Sequence, residues 1–258
     1  MHPMTPMTAL GAALYHDVHL VEDTQPIEAL LDSLFAGESG LKQFCVPLAP
    51  RRERPSALRR EKLLERVSRG ELFSFMVGTD AKVADADVLT LGVGLSPTTA
   101  AAQEGSAGYR YRLDLAAGAA VVARRGAEAL VESLLAFASA VPPRAGVVFP
   151  AESASFAHAL ASGARGGLSE QQDRRVREVF YAVYELGDRI RGPEWGTFLG
   201  AHHVAKLGDL ERVRAESGCA VMRSLPHGGA YLQVTERIDD PQVEDRLAAL
   251  ASALAPVR

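Results

Sequence analysis

The last quarter of the chain contains the pattern that most restricts its fold. Two runs of strand-forming residues, 220–225 and 230–235, flank a Pro-His-Gly-Gly segment at 226–229. A proline and two glycines between two such runs are typical of a tight turn. We therefore predict an antiparallel β-hairpin, which requires a sheet in which this hairpin can be buried.

Helical patterns lie on both sides of this hairpin. Asp240 can cap a helix that has Pro241 at its first position and an apolar stripe reaching Leu254. Before the hairpin, residues 194–199 form a strand-like run, and helical sequence follows it as far as a break at Gly208. The predicted C-terminal unit is strand, helix, hairpin, helix.

The same patterns extend upstream. Strands are predicted at 72–77, 88–95, 109–115 and 145–149, and helices at 25–36, from Ser56 to Gly70, at 123–140 and at 169–184. Ser169 and Gln172 form a capping box for the last of these helices. Residues 150–167 are Ser-, Ala- and Gly-rich and predict a loop or a short helix. The fold class is α+β, a mostly antiparallel sheet packed against helices.

The length of 258 residues fits one large domain or two packed halves. We predict a single α+β domain over 1–258. Any junction between two halves is expected near residues 150–168, where the sequence is richest in small and flexible residues.

The charge and cysteine content exclude several classes of protein. Because 28 Lys and Arg are outnumbered by 32 Asp and Glu, the chain lacks the positive field of a nucleic-acid-binding protein. Cys45 and Cys219 are isolated, which argues against a zinc site or a disulfide framework. No basic residue precedes the apolar N-terminal stretch, and no apolar run is long enough to span a membrane. We expect a cytoplasmic protein.

Familiar catalytic motifs are absent. The sequence contains no G-x-S-x-G, no phosphate-binding loop, no H-E-x-x-H and no C-x-x-C, so we predict no catalytic, cofactor-binding or metal-binding residues. His16 and His19 lack a third ligand nearby. Gly92-Val93-Gly94 begins like a dinucleotide fingerprint, but Pro97 replaces its third glycine, so a close-packed strand is expected there.

Two features point to protein binding or to structure. An acidic cluster predicts a negative, partner-binding surface formed by Glu236, Asp239, Asp240, Glu244 and Asp245. Helix capping is a second use for Asp239 and Asp240. Trp195, the only tryptophan, is expected in the core, with a ligand-stacking role as the alternative.

The segment around Trp195 resembles the type VI secretion immunity family, formerly DUF3396. The family pattern Gly-x-x-Trp-x-Thr-Phe-Leu is matched by Gly192, Trp195, Thr197, Phe198 and Leu199, and a helix break follows at Gly208. The chain departs from the family at Asp209, where the second glycine of Leu-Gly-Gly is expected. The resemblance covers residues 70–258 and is strongest over 187–258.

This resemblance implies a noncatalytic, cytoplasmic protein that binds and neutralises a cognate secreted toxin, a nuclease in characterised relatives. Occlusion of the toxin by the acidic surface is the implied mechanism. Two alternatives stay open: a noncatalytic subunit of an enzyme encoded beside it, and a small-molecule enzyme with a dispersed site. The partner is expected to be a protein, and a homo-oligomer is compatible with the sequence.

Overall fold

One antiparallel sheet organises the molecule. A computed structural model describes residues 9–49, 53–80, 82–95, 111–164, 166–179 and 189–258. Its strands are β1 (Ala9–His16), β2 (Lys42–Pro47), β3 (Ser56–Ala57), β4 (Leu72–Gly78), β5 (Leu89–Gly94), β6 (Tyr111–Ala117), β7 (Pro143–Ala151), β8 (Gly196–Leu199), β9 (Val221–Ser224) and β10 (Ala230–Gln233). They form a ten-stranded sheet in the order β3-β2-β4-β5-β6-β1-β7-β8-β10-β9. The predicted antiparallel pairing is confirmed.

Helices cover this sheet. They are α1 (Gln25–Phe35), α2 (Arg60–Ser68), α3 (Ala119–Arg125), α4 (Ala127–Ala140), α5 (Ala154–Ser162), α6 (Glu170–Val179), α7 (Ala201–Leu207), α8 (Leu210–Ser217) and α9 (Val243–Ala253). The α+β class predicted from the sequence is therefore confirmed. None of the helices in the described ranges has the length and apolar character that a membrane crossing requires.

The central strand β1 shows on which face the helices lie. A Cβ added at Gly11 would lie 3.2 Å from the Cβ of Ala157 in α5. The His16 ring instead meets Phe137 of α4 edge-on, with centroids 6.0 Å apart. Because odd and even positions of a strand point to opposite faces, α4 and α5 lie on opposite sides of the sheet.

The N-terminal strand was not predicted from the sequence. All eight residues of β1 are buried, so the strand shows no alternation of buried and exposed positions. Its alanines and glycine also lack the β-branched character that marks most strands. The two neighbouring strands β6 and β7 pair along its length, which makes this apolar stretch the middle of the sheet.

Several predicted helix boundaries are wrong. The helix predicted over 123–140 is two helices, because Gly126 adopts φ +83° between α3 and α4. Ser56 belongs to β3, and α2 begins only at Arg60. The helix predicted to be capped by Asp240 begins at Val243 with Gln242 as its cap. Asp240 instead accepts a hydrogen bond from the Gln242 backbone N–H at 2.8 Å.

Other local predictions are confirmed. Ser169 and Gln172 form the reciprocal capping box, with the Gln172 N–H donating to Ser169 Oγ (3.2 Å) and the Ser169 N–H donating to Gln172 Oε1 (3.0 Å). The end predicted for that helix, Tyr184, lies outside the described residues. The hairpin pairs Ala230 with Ser224, and Gly228 has φ +80° in its turn. The helical segment between β8 and the hairpin is α7 and α8, which are separated at Gly208.

Candidate functional site

The tryptophan motif builds a junction inside the core. Trp195 has no exposed surface, and its Nε1 donates a hydrogen bond to Thr235 Oγ1 at 3.1 Å. The Trp195 carbonyl accepts a hydrogen bond from the Val234 N–H. Thr197 Oγ1 accepts one from the Glu194 N–H at 3.1 Å, and Phe198 and Leu199 are buried. These bonds join β8 to the chain that leaves β10.

Gly208 and Asp209, which follow the motif, each have a local structural role. Gly208 adopts φ +76°, a backbone conformation that favours glycine, at the end of α7. Asp209, which departs from the family pattern, caps α8 by accepting hydrogen bonds from the N–H groups of Glu211 (2.9 Å) and Arg212 (3.2 Å). Gly192 has no neighbour within 4 Å of an added Cβ, and nothing in the described structure explains a glycine there.

An ion pair between the partly exposed Arg175 and the buried Glu194 attaches α6 to the motif. Both carboxylate oxygens of Glu194 accept hydrogen bonds from Arg175 Nη2 at 2.8 Å. Burial raises the pKa of Glu194, and the positive charge of Arg175 opposes this rise without cancelling it. The pair therefore keeps a carboxylate at the edge of the core next to Trp195.

The five acids predicted to bind a partner have different local contacts. Four are exposed, and Asp240 is half-buried. Asp239 forms an ion pair with Arg237 at 2.7 Å, and hydrogen bonds from this guanidinium lower the pKa of Asp239. Asp240 stabilises the turn before α9. Glu244 and Asp245 lie in the first turn of α9, where negative charge is favourable.

Two of the five acids, Glu236 and Glu244, line separate grooves. Glu236 lines a groove of about 370 Å³ between α4 and the β9–β10 hairpin, together with Glu128 and Glu132 of α4. Glu244 lines a different groove of about 400 Å³ with Arg175 and Glu194. Proximity in the sequence therefore does not bring Glu236 and Glu244 into one groove.

A third groove lies where α5 leaves the sheet uncovered. Its volume is about 340 Å³, and strands β2, β4, β5 and β6 form its floor. We call it the sheet groove and define it by these residues: Phe44, Val46, Phe73, Met76, Gly92, Gly94, Arg112, Asp114 and His158. Its apolar side is contributed by β2 and β4 and its polar side by β6 and α5. The combination of apolar and charged walls makes it a candidate binding site.

Asp114 is the charged centre of the sheet groove. The residue is only 5% exposed, and its carboxylate lies 3.5 Å from Arg112 Nε and 3.5 Å from His158 Nδ1. A Cβ at Gly92 would lie 2.5 Å from Asp114 Oδ1, so only glycine leaves room for this carboxylate. The Gly92-Val93-Gly94 sequence thus lies in β5, as expected of a strand, and borders a charged group.

Sequence reasoning missed this cluster. His158 is far from Asp114 in the chain, and residues 150–167 were not assigned a definite helix, so their contact was not predictable. One signal was present: an aspartate between Leu113 and Leu115 in a strand is unusual, because aspartate is rarely buried without a partner. That signal would have marked Asp114 as a functional or ion-paired residue.

The sheet groove offers hydrogen-bond acceptors and apolar walls. In the part of the chain that the structure describes, no cluster of three or more metal-ligating side chains occurs. Within the same ranges, no hydroxyl or thiol is hydrogen-bonded to His158, and the Ser162 hydroxyl accepts from the Ala164 N–H (3.3 Å).

Comparisons with known proteins identify the fold. No protein-family model matches the sequence, and no curated protein matches it. Among solved structures, the chain is similar to the Pseudomonas aeruginosa T6SS protein PA0821, with a TM-score of 0.67 and 16% sequence identity. The match covers 99% of this chain and 75% of that chain. At this identity the likeness shows a shared fold, and function has to be argued separately.

Proposed function

We propose that this protein is an immunity protein that binds a cognate secreted toxin and neutralises it by covering its active site. The observation that carries the proposal is the fold shared along almost the whole chain with a T6SS protein. The resemblance of the Trp195 segment to the type VI secretion immunity family supports it from a different direction. One likeness rests on the backbone and the other on a local sequence pattern.

The proposed mechanism is occlusion by a rigid surface. A stable protein complex of this kind buries about 1,200–2,000 Å² in total. The exposed acids Glu236, Glu244 and Asp245 supply negative charge that attracts a basic surface, such as the nucleic-acid cleft of a nuclease toxin. Asp239 and Asp240 add to this charge, although Arg237 neutralises part of it.

Co-expression with the toxin encoded by a neighbouring gene tests the proposal. We expect cells producing both proteins to survive, and cells producing the toxin alone to die. A catalytically inactive toxin controls for the burden of expression. Unchanged killing in cells that contain the soluble protein would contradict the proposal. Copurification with a non-toxic enzyme would instead favour a role as a noncatalytic subunit.

A further inference from the structure

We propose that the sheet groove receives an aromatic side chain that carries a hydrogen-bond donor, a tryptophan or a tyrosine of the protein partner. The identity of that partner as a toxin rests on the proposed function above. The chemistry of the groove itself rests on three independent observations: exposed apolar walls, a floor of glycines, and a mostly buried carboxylate whose two ion-pair partners are each 3.5 Å away.

The walls are apolar side chains left in solvent. Phe44, Val46 and Phe73 are 36%, 38% and 41% exposed, and they are three of the six most exposed large apolar residues in the described ranges. Phe44 pairs with Met76, and Met76 pairs with Gly92, so their side-chain positions share one face of the sheet. Such concentration of exposed apolar surface marks an interaction site.

The floor has room for a flat ring. Within the described ranges, a Cβ added at Gly94 would meet only the backbone of Arg112, at 3.4 Å and 3.6 Å. Described side chains therefore flank β5 at this position, and none of them covers it. A shallow slot between β4 and β6 results, and aromatic side chains bury a large area in such a slot while losing few rotamers.

The polar end of the slot contains a carboxylate whose contacts are longer than a strong hydrogen bond. Charge-assisted hydrogen bonds are usually about 2.7–2.9 Å long, whereas both partners of the Asp114 carboxylate are 3.5 Å away. Among the described residues, none donates a hydrogen bond to this carboxylate. The Asp114 carboxylate therefore has room to accept a further, shorter hydrogen bond, and a ligand that supplies the donor gains binding free energy.

The charge balance selects a neutral donor. Arg112 already lies beside Asp114, and a second cation from lysine or arginine would be repelled by it. An indole N–H or a phenol O–H donates without adding charge. Arg112 also donates to the Ser162 carbonyl (2.9 Å) and so ties α5 to β6, but this structural role leaves the exposed Phe44, Val46 and Phe73 unexplained.

The test uses small probes on the full-length chain. N-acetyl-tryptophanamide, N-acetyl-tyrosinamide and N-acetyl-phenylalaninamide are titrated into the ¹⁵N-labelled protein, and amide shifts are followed by NMR. We expect the first two to shift resonances of β4, β5 and β6 around the groove. The phenylalanine probe lacks the ring donor and should bind about tenfold more weakly.

Variants separate the two parts of the site. Gly94→Val fills the slot without a close contact and should abolish binding of every probe. Asp114→Asn should reduce the difference between the tryptophan and phenylalanine probes. Leu48→Ala, at an exposed apolar residue outside the groove, is the matched control and should bind as the wild type does. Thermal melting of each variant verifies that it folds.

Three results would overturn the proposal. The first is equal binding of the phenylalanine and tryptophan probes. The second is unchanged probe binding by a folded Gly94→Val variant. The third is probe binding that occurs only after residues 96–110 are replaced by a Gly-Ser linker. The last result would mean that the chain itself occupies the groove.

Co-expression with the neighbouring toxin distinguishes this proposal from the proposed function. If folded Gly94→Val protects cells as well as the wild type does, the partner binds elsewhere, and the groove proposal fails while the proposed function stands. If the wild type itself does not protect, the proposed function fails whatever the probes show.

Discussion

His16 shows how far burial can change one side chain. Its ring is 1% exposed, and it stacks on Tyr111 with centroids 5.6 Å apart. Desolvation lowers the pKa of His16 to about 4, and the backbone of Val18 and the charge of Asp17 oppose this only in part. In the sequence, His16 belongs to a weak metal-binding pattern. Such a pattern does not show whether the imidazole ring is buried.

Protonation of His16 is therefore expected to destabilise the fold. The folded-state pKa lies below the unfolded value of 6.5, so the unfolded chain binds the proton more tightly. The contribution of neutral His16 is complete above pH 6.5 and declines as the pH falls toward 4, by about 3 kcal/mol. Urea unfolding at several pH values measures it.

Two substitutions isolate this contribution. His16→Phe preserves the aromatic stacking, and His16→Leu serves as a second apolar variant; neither titrates. The difference in the free energy of unfolding between wild type and either variant should change with pH over this range. A difference that stays constant from pH 7.5 to pH 4 would show that His16 does not titrate as described.

Trp195 gives a second prediction at the residue scale. Thr235→Val leaves the buried indole N–H without its acceptor, so the free energy of unfolding should fall by about 1–3 kcal/mol. Thr235→Ser preserves the hydroxyl and should lose less. Fluorescence of Trp195, the only tryptophan, reports unfolding in urea. Equal losses in the two variants would argue against a role for this hydrogen bond.

At the scale of elements, amphipathic helices were more predictable than buried strands. The stripe of α1 and the turn of the hairpin are visible in the sequence because each has one exposed side and definite end signals. β1 is buried on both faces, and its alanine-rich sequence resembles no strand pattern. The division between α3 and α4 depends on the positive φ of Gly126, and a single glycine within a helical pattern does not specify it.

The start of α5 has, besides its local N-cap Ser153, a contact that no local pattern could predict. Asp85, in a short 3₁₀ turn, accepts hydrogen bonds from the Ala154 N–H (2.8 Å), the Ser155 N–H (3.0 Å) and the Ser155 hydroxyl (2.7 Å). Although burial raises its pKa, these hydrogen bonds outweigh burial and lower the pKa of Asp85. A distant residue thus provides a cap for the helix that borders the sheet groove.

Removal of this cap should loosen α5. We expect Asp85→Ala to reduce the free energy of unfolding by about 0.5–2 kcal/mol at neutral pH. The loss should shrink at acidic pH, since an acid with a lowered folded-state pKa stabilises only while it is ionised. The control is Asp87→Ala. Asp87 lies in the same turn, and its ion pair with Arg124 is a long one of 3.9 Å. Equal effects of both variants in chemical denaturation would contradict the capping role.

At the scale of the whole molecule, the sequence predicted the α+β class but not the surfaces. The five C-terminal acids are close in sequence, yet Glu236 and Glu244 line different grooves. The sheet groove combines β2, β4, β5, β6 and α5, and its charged centre depends on a contact between Asp114 and His158. Such a site is defined by tertiary contacts, so a local pattern in the sequence could mark Asp114 but not the groove around it.

Stoichiometry distinguishes occlusion from catalysis most directly. Purified protein is titrated into an activity assay of the neighbouring toxin, and the residual toxin activity is measured against the molar ratio. The account predicts a linear fall to zero at one protein per toxin, independent of incubation time. A progressive loss of toxin activity at a small fraction of that ratio would mean that the protein acts as a catalyst, and would contradict the account.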